Sequence, residues 1–305
     1  MEVEDCAAGF CGVGQWEGVA EVYDGRGRFL ANGADQRHVR STEDDGRIRI
    51  DLSFAGPLKF SGHYYIKSLE DRRLYQGPVN CGYADAISEN LVSAHGYWPC
   101  TGLSQKFFLM KTPDGNRQIS LALMSRGSQL LYVVVGENAL MVHGKAAASI
   151  PVVNGISYDL ETDPKAGRSS LYLHRSGLWR GEFSRLDEGG KRASYGVLEE
   201  IENDGRRVKT LMSGSSFMND RVEAQLSCNG YQAYSEAGDY VGSYSLYGGR
   251  ALSGDFHYLP SGLRVTRREV CSGDGGYKAV VNTWYEGEKK IAFEWGFLKF
   301  EASGS

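Results

Sequence analysis

Residues 14–20 read GQWEGVA and residues 177–183 read GLWRGEF, so the pattern Gly-x-Trp-x-Gly occurs twice, around Trp16 and Trp179. The correspondence continues downstream. VYDGRGRF and then STEDDGRIRIDLSFAG follow Trp16, while RLDEGGKR and then EIENDGRRVKTLMSGS follow Trp179. Further on, SAHGYWPCTGLSQKFFLM aligns with SGDFHYLPSGLRVTRREV, which pairs Tyr97 with Tyr258 and Pro99 with Pro260. Landmarks in one order at nearly equal spacing mark a tandem duplication with a period of about 160 residues, too long for a solenoid repeat. The chain is therefore expected to hold two domains, 1–160 and 165–305. The connection is expected within 144–176, where GKAAASIPVVNG and ETDPKAGRSS interrupt the pattern with loop-forming residues.

Each copy reads as β-structure. In GRIRIDLSF, Ile48, Ile50 and Leu52 alternate with Arg47, Arg49 and Asp51, the period of a half-buried strand. EDDG and ENDG just upstream supply hairpin chemistry, with glycine where the backbone needs a positive φ. The same grammar gives about eight or nine short strands per copy. No long amphipathic helix emerges, and ADAISENLVSA at 84–94 offers a helical turn or two at most. The expected class is all-β, with two tandem antiparallel up-and-down barrels. Forty glycines and 18 tyrosines against 7 prolines suit tight turns between aromatic-rich strands.

A formal charge of −4 argues against a general nucleic-acid binder. The longest apolar run, LLYVVVG, is too short to span a bilayer. The acidic start MEVEDCAAGFCGVGQW carries no secretory pattern, so cytoplasm or plastid stroma is the expected location. Six cysteines without a CxxC pair or a His/Cys cluster read as free thiols of a reducing compartment, not as a zinc site. The glycines of DGRGRF lie between strands and fail the context of a nucleotide-binding loop.

The Gly-x-Trp that opens each copy, followed by consecutive hairpins, resembles the calycin superfamily of lipocalins, fatty-acid-binding proteins, nitrobindins and phycobiliprotein bilin lyases. The paired copies, with YLPSGLRV and FEWGFL in the second, resemble a two-domain lipocalin-like family of cyanobacteria and plastid-bearing eukaryotes. The resemblance implies that Trp16 and Trp179 pack under a barrel floor and mark the fold, without a ligand role. It also implies a ligand cavity for a hydrophobic or amphipathic molecule such as a tetrapyrrole or bilin, a carotenoid or isoprenoid, or a fatty acid. A cofactor-free lyase, isomerase or cyclase of the same fold is the alternative, and a structural scaffold is the third reading. No cofactor is required, although the nitrobindin comparison implies haem with His143 of ALMVHGK as axial ligand.

Candidate ligand residues are polar or aromatic groups on strand faces taken as inward. In the first copy these are His95 with Tyr97, which share a face, and Arg40, which shares one with His38. In the second they are His257, Tyr258, Arg264, Arg268, Asn282, Trp284, Tyr285 and Trp295. Arginine earns its place as a planar fork for a ligand carboxylate. In KIAFEWGFLKF the face Ile291, Phe293, Trp295, Phe297 is taken as inward, which leaves Glu294 to solvent. The concentration of such residues late in the second copy makes that barrel the expected site.

Overall fold

A computed structural model describes residues 12–42, 47–69, 72–151, 173–205, 207–214, 217, 221–229 and 231–301. Cys6, Cys11, the EDDG turn and the stretch SIPVVNGISYDL from Val152 onward lie outside the described residues.

The chain forms two compact units, each an antiparallel barrel in which successive strands are neighbours. The first unit runs β1 (Gly14–Asp24), β2 (Phe29–Ser41), β3 (Ile48–Ala55), β4 (Lys59–Leu69), β5 (Arg72–Gln76), β6 (Cys81–Ile87), β7 (Leu91–Trp98), β8 (Leu103–Lys111), β9 (Arg117–Arg126) and β10 (Gln129–Val142). It closes where β10 pairs with β1, and a two-residue β11 (Lys145–Ala146) extends from β10. The second unit is a closed barrel of β12 (Gly177–Asp187), β13 (Arg192–Asn203), β14 (Arg207–Ser213), β15 (Val222–Asn229), β16 (Gln232–Gly238), β17 (Tyr240–Tyr247), β18 (Ala251–Tyr258), β19 (Leu263–Cys271), β20 (Tyr277–Glu286) and β21 (Lys289–Glu301). Ten strands close each barrel, one or two more than the repeat grammar suggests. ADAISENLVSA is the β6–β7 hairpin and contains no helical turn, since Ala84 and Val92 belong to the ladder between these strands.

The Gly-x-Trp-x-Gly motif now has a physical account. Gly14 and Gly177 adopt φ of 125° and 139°, a region in which a side chain is strained. Trp16 and Trp179 are 1% and 0% exposed, and the Trp16 indole donates to the Gly12 carbonyl at 2.8 Å. A Cβ on Gly18 would stand 2.0 Å from the Glu137 carbonyl oxygen, and one on Gly181 would stand 1.8 Å from that of Phe297. The second glycine therefore lets the opening strand approach the closing strand of the same barrel. Both tryptophans are buried core residues.

Turn glycines fix the correspondence between the copies. Gly102, Gly115 and Gly127 all have positive φ, and so do Gly262, Gly275 and Gly287 at a constant offset. This places Trp98 opposite Tyr258, one residue away from the Tyr97–Tyr258 match read from the sequence. The strand faces agree with the shift. Tyr97 is 46% exposed, whereas Tyr258 is 1% exposed.

Candidate functional site

The first barrel encloses a cavity of about 510 Å³, well inside the range of small-molecule pockets. Its wall is the inward alternation of each strand: Ile50, Leu52 and Phe54 on β3, Leu103, Phe107 and Leu109 on β8, Ala122 and Met124 on β9. Phe60 and Trp98 meet edge to face with centroids 6.3 Å apart.

Polar groups also enter this wall. Asp35 and Arg37 sit two residues apart on β2 and share the inward face with Val39. Arg37 donates through Nε to Asp35 Oδ1 at 3.2 Å and through Nη2 to Oδ2, so the guanidinium fork is engaged at both ends. Asn138 fixes the Asp35 backbone by donating to its carbonyl at 3.3 Å. Tyr64 on β4, Asn80 just before β6, and Gln118 and Ser120 on β9 add to these, and Lys59, Tyr75, His95, Thr101, Gln105 and Tyr132 also line the cavity. Burial pushes the Tyr64 phenol up to about 12, partly offset by its hydrogen bond with Asn80 and the Arg37 charge. Tyr64 is therefore a neutral hydrogen-bonding group at physiological pH.

The second barrel has nearly the same frame and a filled interior. Its cavity is about 60 Å³, room for water and not for a drug-sized ligand. Position by position, the first copy has Ala20 where the second has Phe183, Gly96 for Phe256 and Met124 for Trp284. Charged groups occupy further space. Lys278 bonds Glu199 and lies 3.4 Å from Glu269, Arg267 pairs with Glu269 and lies 3.5 Å from Glu199; Lys278, Glu199 and Glu269 are buried and Arg267 is nearly so. His174, which precedes β12, is buried against Tyr244, with 2.6 Å between Nε2 and the hydroxyl. The Glu294 carboxylate, 0% exposed, accepts from the Trp284 indole at 2.6 Å, the Tyr195 hydroxyl at 2.5 Å and Asn282 at 3.4 Å.

Several sequence expectations change on this geometry. Glu294 points inward, which sets Trp295, with Phe293 and Phe297, on the opposite, outer face of β21. Asn282, Trp284 and Tyr258 do face the interior of the second barrel, but they fill it as core. Tyr285 faces outward beneath Arg264, whose guanidinium stacks 4.0 Å from its ring and pairs with Asp255 at 3.3 Å. Arg268 is buried on the same outer face of β19, while His257 is exposed. In the first barrel Arg40 is exposed and pairs with Asp51 at 3.5 Å. His95 borders the cavity, yet its ring stacks on the exposed Tyr83 at 4.9 Å, and Tyr97 lies on that outer face. His143 forms the exposed turn between β10 and β11 with φ of 50°, away from the cavity wall. Among the described residues no group of three or more His, Cys, Asp or Glu could hold a metal ion, and Cys81, Cys100, Cys228 and Cys271 form no disulfide.

Asp35 and Arg37 were legible in ADQRHVR. The apolar Val39 shares their parity and marks the inward face, whereas Arg40 and His38 hold the other. The same rule selects Arg267 and Glu269 over Arg264 and Arg268, because Val265 shares the parity of the former.

No family model and no curated protein matches the sequence. Among solved structures, a protein of unknown function from the DUF3598 family of Nostoc punctiforme PCC 73102 superposes with a TM-score of 0.62 at 12% identity, covering 95% of this chain and 97% of that one. The likeness extends over both barrels and shows the fold alone. An S-type phycobiliprotein lyase from Guillardia theta gives 0.34 at 10% identity, over 43% of this chain and 89% of that one. Transferrin binding protein B from Neisseria meningitidis gives 0.28 at 6% identity, over 90% and 66%.

Proposed function

We propose that the first barrel binds a hydrophobic or amphipathic small molecule, and that the second is a solid companion domain. The observation that carries this is the contrast in volume, about 510 Å³ against about 60 Å³, between two barrels of one duplicated design. A folded domain normally fills its interior. A void of this size, walled by aromatic and aliphatic side chains with a few convergent polar groups, has the make-up of a ligand pocket. Tetrapyrroles, isoprenoids and fatty-acid-like chains fall in the right size and polarity class, in keeping with the calycin resemblance. Catalysis on such a ligand is the alternative.

The second barrel supplies the blocking residues for a test. Ala20→Phe with Gly96→Phe carries Phe183 and Phe256 into the equivalent inward positions of the first barrel. This double variant should lose at least about a hundredfold in ligand affinity through steric exclusion, while its urea midpoint changes little because the rings enter the cavity, with only Gln105 and Trp98 giving way beside position 96. Native mass spectrometry with an absorption spectrum, on both forms purified from the native host, reads the result directly. Equal occupancy in the two forms would remove the cavity as the binding site. A wild-type protein that carries nothing and takes up no apolar dye would remove the binding function.

A further inference from the structure

The cavity of the first barrel opens at one end. At the end that holds Trp16, the inward side chains Ile48, Ile66, Val92 and Leu109 are buried in one cluster. Towards the opposite end, Phe54, Leu58, Phe60 and Trp98 line the cavity and are partly exposed. Inward side chains that meet solvent mark an opening. The β3–β4, β5–β6 and β7–β8 turns frame it, for Leu58, Thr101 and, at the start of β6, Cys81 border the cavity. The rim so formed is apolar. Pro57, Pro78 and Pro99 are exposed, one on each turn, and Val79 is 53% exposed. Proline brings no N–H, and other donors of these turns are used within them. The Gly77 N–H donates to the Asn80 carbonyl at 2.8 Å and the Thr101 N–H to the Trp98 carbonyl at 3.2 Å. Such turns strand few backbone groups on leaving water. The rim is also basic. Lys59 borders the opening, and Arg126 ends β9 beside Gly102, where a Cβ would stand 4.0 Å from its Cγ. Both cations are exposed, and residues 56–58, 77–80, 99–102 and 127–128 include no carboxylate. In the β1–β2 turn Arg26 and Arg28 outnumber Asp24. A chain of formal charge −4 thus presents an apolar, positive edge around its cavity mouth.

Resting on the cavity reading above, we infer that this rim docks on a membrane surface rich in anionic lipid, and that the ligand passes between bilayer and cavity through the opening. An apolar molecule of pocket size resides in bilayers far more than in water. Val79 and the three prolines enter the headgroup layer, while Lys59 and Arg126 face the lipid phosphates. Leu58, Phe60 and Trp98 continue the apolar path from the rim into the cavity.

Co-sedimentation of the full chain with two kinds of vesicle tests this: phosphatidylcholine alone, and phosphatidylcholine with about a third phosphatidylglycerol. Partitioning should be at least about tenfold stronger onto the anionic vesicles, at about fivefold per basic residue, and high salt should remove the difference. Val79→Glu and Arg126→Glu should each weaken anionic-vesicle binding at least about fivefold. Val241→Glu changes a valine of the second barrel with a matching 52% exposure, and should leave that binding unchanged. All three sites are exposed, so the variants should fold and take up the neutral dye Nile red in vesicle-free buffer as the wild type does. Equal partitioning onto the two vesicles, no partitioning, or the same loss in Val241→Glu as in Val79→Glu overturns the docking inference. A dimer in ultracentrifugation that Val79→Glu dissolves, with vesicles left unbound, gives the rim to a second copy and overturns it as well. Nile red uptake by the wild type without vesicles keeps the cavity reading standing through each of these results. Failure of that uptake overturns the cavity reading, and with it the passage of a ligand, whatever the vesicles show.

Discussion

Lys278→Met should destabilise the second barrel by about 3–5 kcal/mol, the cost of breaking a buried ion network from one side. Lys278 is 1% exposed, bonds Glu199, stands 3.4 Å from Glu269 and places its ammonium 4.9 Å from the Trp179 ring centroid. Methionine keeps most of the volume and removes the charge. Two buried carboxylates then share Arg267 alone, and burial gives the surplus charge no water to relax into. Urea unfolding read by tryptophan fluorescence measures the loss. A second variant separates charge from packing: Lys278→Met with Glu199→Leu restores neutrality and should recover most of the stability. A single variant that loses under about 1 kcal/mol would show that the four charges are not held as a dry network.

Acid should weaken the same barrel well before its carboxylates titrate. Burial, reinforced by the nearby charges of Lys278 and Arg267 and opposed by Glu199, pulls His174 down to about 3 from an ordinary 6.5. The folded state thus keeps this imidazole neutral while the unfolded chain takes up a proton below about pH 6.5. The unfolded state binds more protons across that window, so stability is complete above it. It falls as pH drops towards 3, with a slope approaching about 1.4 kcal/mol per pH unit. Glu269 is held below the usual carboxylate range, by Arg267 and then Lys278 against its own burial, and adds a loss of the same sign at lower pH. His174→Gln should remove the slope between about pH 6.5 and 4.5 and leave only the carboxylate share below it. An unchanged profile in that variant would show that the imidazole is not held neutral.

The frame was legible in the sequence because duplication wrote it twice. A motif that recurs with its spacing reveals the strand order, and the recurring turn glycines set the register of both copies. The inward faces were harder to read. In a strand such as RHVRS or LRVTRREV, arginines occupy both parities, and only a neighbouring apolar residue tells which one looks inside. The pattern IAFEWGF misleads for a related reason. Its aromatics occupy the outer face of β21, while Glu294 turns in to three donors from β13 and β20. Hydrophobicity marks burial, and a barrel wall can be covered on either side. The cavity itself was hidden because it opens where side chains are small: Ala20 and Gly96 carry no sign of function until Phe183 and Phe256 appear at their positions in the other copy.

The emptiness of the first barrel has a thermodynamic consequence. Phe183, Phe256 and Trp284 give the second barrel a permanent interior, whereas the first keeps a cavity there. On the proposed function, its occupant would be a removable core. At a hundredfold excess over its dissociation constant the ligand would add about 2.7 kcal/mol to the folding of that barrel. The two halves of one duplicated chain would then answer to different masters: the second to pH and charge, the first to the concentration of a small molecule.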